Sequence, residues 1–167
     1  MNTLGDNSLK EEIEKLLQLR NEAEAENNDD YYFGAPVDED EMSSWERDTG
    51  ITIPESYKEW LRFSKESMID GTTASFWGPK KFHSKYVADE FVVIGEMIGD
   101  GEVVGFSKKS GHFIECFEGR IIDEYDDFKG VLNEIIRLLG KPQKIDQERI
   151  EQMHKKLKEI RERRNKK

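Results

Sequence analysis

The sequence predicts an α+β fold, an antiparallel meander of about four to six strands packed by helices, with a further helix at each end. Two observations carry that expectation. Four short β-patterned runs follow one another, Phe91 to Met97, Val103 to Ser107, Phe113 to Phe117 and Arg120 to Tyr125, joined by short glycine-containing links. Links that short suit hairpins and leave no room for βαβ crossovers. Helical periodicity brackets these runs on both sides, as in a layered α+β domain.

Composition sets the frame. The chain has 167 residues, 35% hydrophobic and 37% charged, which suits one modest core with solvated extensions. The N-terminus is acidic and lacks the apolar stretch of a signal peptide, and no apolar run is long enough to span a bilayer. The single cysteine, Cys116, has no internal disulfide partner, which suits a reducing, cytoplasmic setting. The net charge of −10 is uneven: residues 141–167 carry +6, and the first 140 carry −16. An acidic body repels nucleic acid and attracts basic proteins.

In chain order, Ser8 to about Glu26 reads as a helix with a narrow stripe of Leu9, Ile13, Leu16, Leu17 and Arg20. The turn-rich stretch Asn27 to Pro36 ends it. Asp38 to Asp48 reads as a short helix, with carboxylates in its first turn and Met42 and Trp45 facing inward. Gly50 has the position of a C′ residue. Pro54 keeps Ile53 extended and fits the first turn of the next helix, while Thr52 and Glu55 have capping-box spacing. Tyr57, Trp60, Leu61 and Ser64 share one face of that helix. Ala74 to Trp77 is a candidate short strand, and Pro79 to Asp89 a loop. After the meander, Asp126 or Asp127 caps a helix whose apolar face is Phe128, Val131, Leu132, Ile135, Ile136 and Leu139, stopped by Gly140 and Pro142. A last helix, about Asp146 to Arg163, has only a seam of Ile150, Met153, Leu157 and Ile160, which suits pairing with the oppositely charged N-terminal helix. The expected organisation is an N-terminal helix and linker in 1–37, an α+β domain in 38–140 and a basic C-terminal helix in 141–167.

The residues Trp45, Gly50, Ile51, Ile53, Pro54, Ser56, Tyr57, Lys58, Trp60 and Leu61, followed by the meander and the helix from Asp126, resemble the SUKH superfamily over about residues 38–140. That group includes a fungal cell-wall-synthesis regulator and many bacterial immunity proteins. Its common Asn-Gly-Gly turn after the motif helix is replaced here by Asp70-Gly71. The resemblance implies a non-catalytic protein that binds and neutralises a cognate toxin, such as a nuclease, with no cofactor.

His83, His112 and His154 sit in separate elements, and His112 with Cys116 supplies too few ligands for zinc. Residues four apart on a strand lie roughly 13 Å apart, too far for a Cys–His nucleophile pair. Gly99-Asp100-Gly101 lacks the helix and Lys-Ser/Thr pair of a phosphate loop. No catalytic or metal residue is assigned. The expected partner-binding residues are Asp100, Glu102, Asp123, Glu124 and Asp127, with Trp77 as an aromatic anchor. The alternatives are a regulatory scaffold binding through its terminal helices and, less favoured, a cryptic hydrolase built around His83 or His112.

Overall fold

The computed structural model describes residues 7–97 and 101–140, and within 151–162 the positions 151, 152, 154–156, 158, 159 and 162. Two compact units divide the chain, Met1–Ile136 and Arg137–Lys167. The first runs α1 (Lys10–Ala25), β1 (Tyr32–Phe33), α2 (Glu39–Thr49), α3 (Glu55–Phe63), β2 (Ser67–Ile69), β3 (Ala74–Phe76), a 3-10 turn (Pro79–Lys81), β4 (Phe91–Met97), β5 (Glu102–Ser107), β6 (Phe113–Phe117), β7 (Arg120–Tyr125) and α4 (Phe128–Leu139), which continues into the second unit. In that second unit the described positions between 151 and 162 are helical. The seam residues Ile150, Met153, Leu157 and Ile160, and with them the expected pairing of the terminal helices, lie outside the described residues.

The strands form one antiparallel sheet in sequence order, β1 through β7. The α+β class and the meander are as the sequence predicts. The sheet has two strands that the sequence reading did not place, β1 and β2. Tyr32–Phe33 lies in the stretch read as turn and pairs with Met68 and Ser67. Among the described residues no helix is long and apolar enough to cross a membrane.

The elbow between α2 and α3 is built from local chemistry. Asp38 caps α2, its side chain accepting from Asp40 N–H at 3.0 Å. Gly50 ends that helix at φ 69°, a left-handed conformation that glycine adopts without a Cβ clash. Glu46 then reaches back, its Oε1 accepting from Ile53 N–H at 2.8 Å and lying 2.8 Å from Lys58 Nζ. One carboxylate thus holds the turn to both helices. Pro54 is the N-cap of α3, at φ −55° and ψ 137°, one place earlier than the first-turn position expected. Its ring fixes φ and its carbonyl accepts from Tyr57 and Lys58 N–H.

Tyr57 and Trp60 are fully buried and gather the core. Tyr57 meets Phe128 edge-on at 4.8 Å between ring centroids, and Trp60 meets Phe33, Phe63, Phe76 and Phe128 within 6.2 Å. Such edge-to-face contacts add to the area the rings bury. Tyr57 O–H donates to the Trp77 carbonyl at 2.7 Å, so the helix is tied to the end of β3 as well as packed on it. Ser56, next in the same motif, accepts from Phe128 N–H at 3.0 Å. A residue 72 positions upstream therefore satisfies one of the free donors at the start of α4. Asp127 takes another, accepting from Gly130 N–H at 3.0 Å.

Both faces of the sheet are covered. The helix face carries Phe76, Phe106 and Phe113 against α3 and α4. On the other face Val93, Val103, Ile114 and Cys116 form a smaller core, roofed by Trp77, Val87 and Phe91. At Gly95, opposite Phe76, any Cβ would lie 2.4 Å from that ring, so the strand approach requires glycine. α1 buries Ile13 and Leu16, with buried Leu9 at its N-cap, and its Glu12 lies 3.5 Å from Lys129 of α4.

These contacts give a ranked expectation. Trp60→Ala costs on the order of 3–5 kcal/mol through the cavity it leaves. Tyr57→Phe costs about 1–2 kcal/mol by leaving the Trp77 carbonyl short of its donor. Ser56→Ala costs about 1 kcal/mol as a lost helix cap. Denaturant melts of the three variants check the order; a Ser56→Ala protein as stable as wild type would remove the capping role.

Candidate functional site

On the helix face, alternation and register bring carboxylates from three strands together. Glu102 and Val104 of β5 face the same way, Val104 opposes Glu115 of β6, and Glu115 opposes Asp123 of β7. Glu115 is only 6% exposed, and it hydrogen-bonds with Glu102 and accepts from Tyr125 O–H at 3.0 Å. Burial, then the hydrogen bond and charge of Glu102 with a contribution from Asp123, push its carboxyl up to about 7; the Tyr125 hydrogen bond opposes the rise. Burial and the Glu115 charge likewise raise the Tyr125 phenol. A neighbouring cation would oppose the rise at Glu115.

Of the sequence-predicted residues, Glu102 and Asp123 meet in this cluster. Glu124 is exposed and opposes Ile114, so it lies on the opposite face of the sheet. Asp127 is exposed and caps α4. Asp100 lies outside the described residues. Trp77 is elsewhere: its ring stacks on His83 at 6.0 Å and roofs the smaller core. There it borders a shallow cleft of about 220 Å³ over β2 and β3, with Tyr32, Met68 and Ser75, beside the 2.8 Å Glu66–Lys81 ion pair. Its indole N–H is buried without a partner. The structure therefore separates the proposed aromatic anchor from the carboxylates.

β7 completes the surface. It is the last strand of the sheet, and among the described residues no strand flanks its outer side. Arg120 to Glu124 are all exposed, Ile121 at 45% and Ile122 at 51%. The register steps from Asp123 to Ile121, so Ile122 is an extra residue with no opposite number. Glu118 and Gly119 both have positive φ, the geometry of a type I′ hairpin turn, and so fix where β7 begins.

His112 is exposed, whereas Cys116 is buried in the smaller core with its thiol pushed up by burial. No group of three His, Cys, Asp or Glu among the described residues is arranged to hold a metal ion. Glu115 escaped the sequence reading, although alternation from Phe113 already put a carboxylate on the helix face. No protein-family model matches the chain, and no curated protein matches it.

The raised Glu115 carboxyl has a consequence for stability. A group that binds its proton more tightly when folded contributes most below its unfolded value, and that contribution is lost as pH rises through the folded one. The protein is thus expected to lose about 1–3 kcal/mol between roughly pH 4.5 and 7 from this residue. Glu115→Gln should flatten that slope and raise the melting temperature at pH 8. Thermal melts across pH check it, and an unchanged slope would contradict the buried-proton account.

Proposed function

We propose that this chain is a non-catalytic, SUKH-type binding module, an immunity protein that neutralises a cognate toxin, most simply a nuclease. The observation that supports this reading is the β7 end of the sheet. An exposed strand combines two isoleucines with carboxylates, beside the buried Glu115 carboxyl, on a body of net charge −16.

The chemistry follows from what a nuclease must have. Its active site is basic because it holds phosphates, so an acidic protein is steered to it and can cover it. Apolar side chains then supply the burial that charge alone does not, since interface energy concentrates in desolvated contacts. Ile121 and Ile122 take the role that the sequence reading gave to Trp77. The carboxylates need no catalytic duty to account for their position.

The test is coexpression with a panel of nuclease toxin domains, beginning with any that the adjacent reading frame encodes. Wild type should restore growth, and Asp123→Lys with Glu124→Lys should abolish rescue and slow association about tenfold or more at low salt. Both positions are exposed, and thermal melts of the double variant check that it remains folded. Full rescue by the double variant would remove the acidic β7 surface from the mechanism.

A further inference from the structure

We infer that β7 is a docking strand, which takes an extended basic segment of a protein partner as an eighth strand of the sheet. The inference rests on the binding role proposed above and names the form of the partner's contact.

A terminal strand offers a row of backbone N–H and C=O groups that a peptide can complete. Here that row belongs to Arg120–Tyr125, where the side chains of Arg120 to Glu124 also remain in solvent. Ordinary edges are protected by charge, by bulges or by being short, as β1 is with two residues. β7 has a charge defence and an extra residue at Ile122, yet it also exposes two isoleucines, which protection alone does not require.

The side chains select the occupant. Residues 118–127 carry a net charge of −4, so a second copy pairing edge to edge would set like charges together. A phosphate backbone is repelled for the same reason. A basic segment is attracted, and the two faces specify its pattern. On the helix face its side chains would lie beside Asp123 and, one strand further in, Glu115. On the other face they would lie beside Ile121, which opposes Cys116 and so continues the smaller core outward. The fitting sequence alternates basic and apolar residues.

The experiment uses the full chain and three synthetic peptides of about eight residues, the ordinary length of a strand. One alternates Lys and Val, one alternates Glu and Val, and one repeats the Lys–Val sequence with alternate backbone nitrogens methylated. Affinity is measured at low salt, with amide NMR shifts mapped on the protein. The Lys–Val peptide should bind, with shifts concentrated in residues 118–125. The Glu–Val peptide should not bind, and methylation should weaken binding about tenfold or more through the lost ladder bonds. Asp123→Lys with Glu124→Lys should weaken it similarly. Equal binding by the methylated peptide would overturn strand addition while leaving an acidic binding surface. Failure of the Lys–Val peptide to bind, shifts confined to other strands, or self-association through β7 would also overturn it. Loss of rescue by the double variant in coexpression reports separately on the binding role itself.

Discussion

Everything in the first unit depends on where the aromatic face of α3 sits. Tyr57 and Trp60 meet rings contributed by β1, β3, β6 and α4, so elements far apart in sequence share one contact set. Close packing permits few other arrangements of side chains this large. Two polar contacts then fix the angle of the wedge. The Tyr57 hydroxyl meets the Trp77 carbonyl at one end, and the Ser56 hydroxyl receives the Phe128 amide at the other. With α4 capped from α3, its start is placed directly after β7, and the acidic end of the sheet is held in position. The sequence TIPESYKEW around Pro54 is therefore structural throughout: proline and Glu46 set the turn, and the residues after it lock the layers.

Coverage explains why one edge stands out. Helices shield one face of the meander, and the Trp77–Phe91 segment shields the centre of the other. At one lateral end β1 contributes only two residues; at the other β7 offers a full strand. Along that strand, alternation sends Asp123 toward Glu115 and turns Glu124 toward the opposite face. A buried carboxyl whose pKa is pushed up to about 7 lies immediately behind it. The cluster is destabilising as it stands, since burial disfavours its charge. A basic group supplied from outside would relieve that cost, which is the physical link between the carboxyl cluster and the binding role proposed for the edge.

How much of this was legible in the sequence follows from range. The hairpins from Phe91 to Tyr125 were readable because each strand lies next to its partner in the chain and each link is short. The α2–α3 elbow was readable because Gly50 and Pro54 act on their own backbones. β1 and β2, with two and three residues, are shorter than any window in which alternation can be counted. Ser56 as the cap of α4 is a contact across 72 residues and has no local signature. Glu115 is a partial case. Its face was implied by Phe113 two places earlier, but its surroundings come from neighbours in two other strands. The smaller core behind the sheet had a signal in the near-continuous apolar runs FVVI and FIECF, which mark strands covered on both sides. Trp77 shows the reverse. It was expected as an aromatic anchor beside the acidic residues, and the chain instead folds it over that core.

The central claim is that a helix-braced sheet presents β7 as its binding strand. Amide hydrogen exchange, followed with and without a toxin domain that this chain rescues in coexpression, tests it most directly. The account predicts slowed exchange at residues 118–125 on toxin binding, with α3 and β4 already slow in the free protein and unchanged. Protection confined to α1 or to residues 151–162, with β7 exchanging as fast as before, would contradict it and place the partner on the terminal helices.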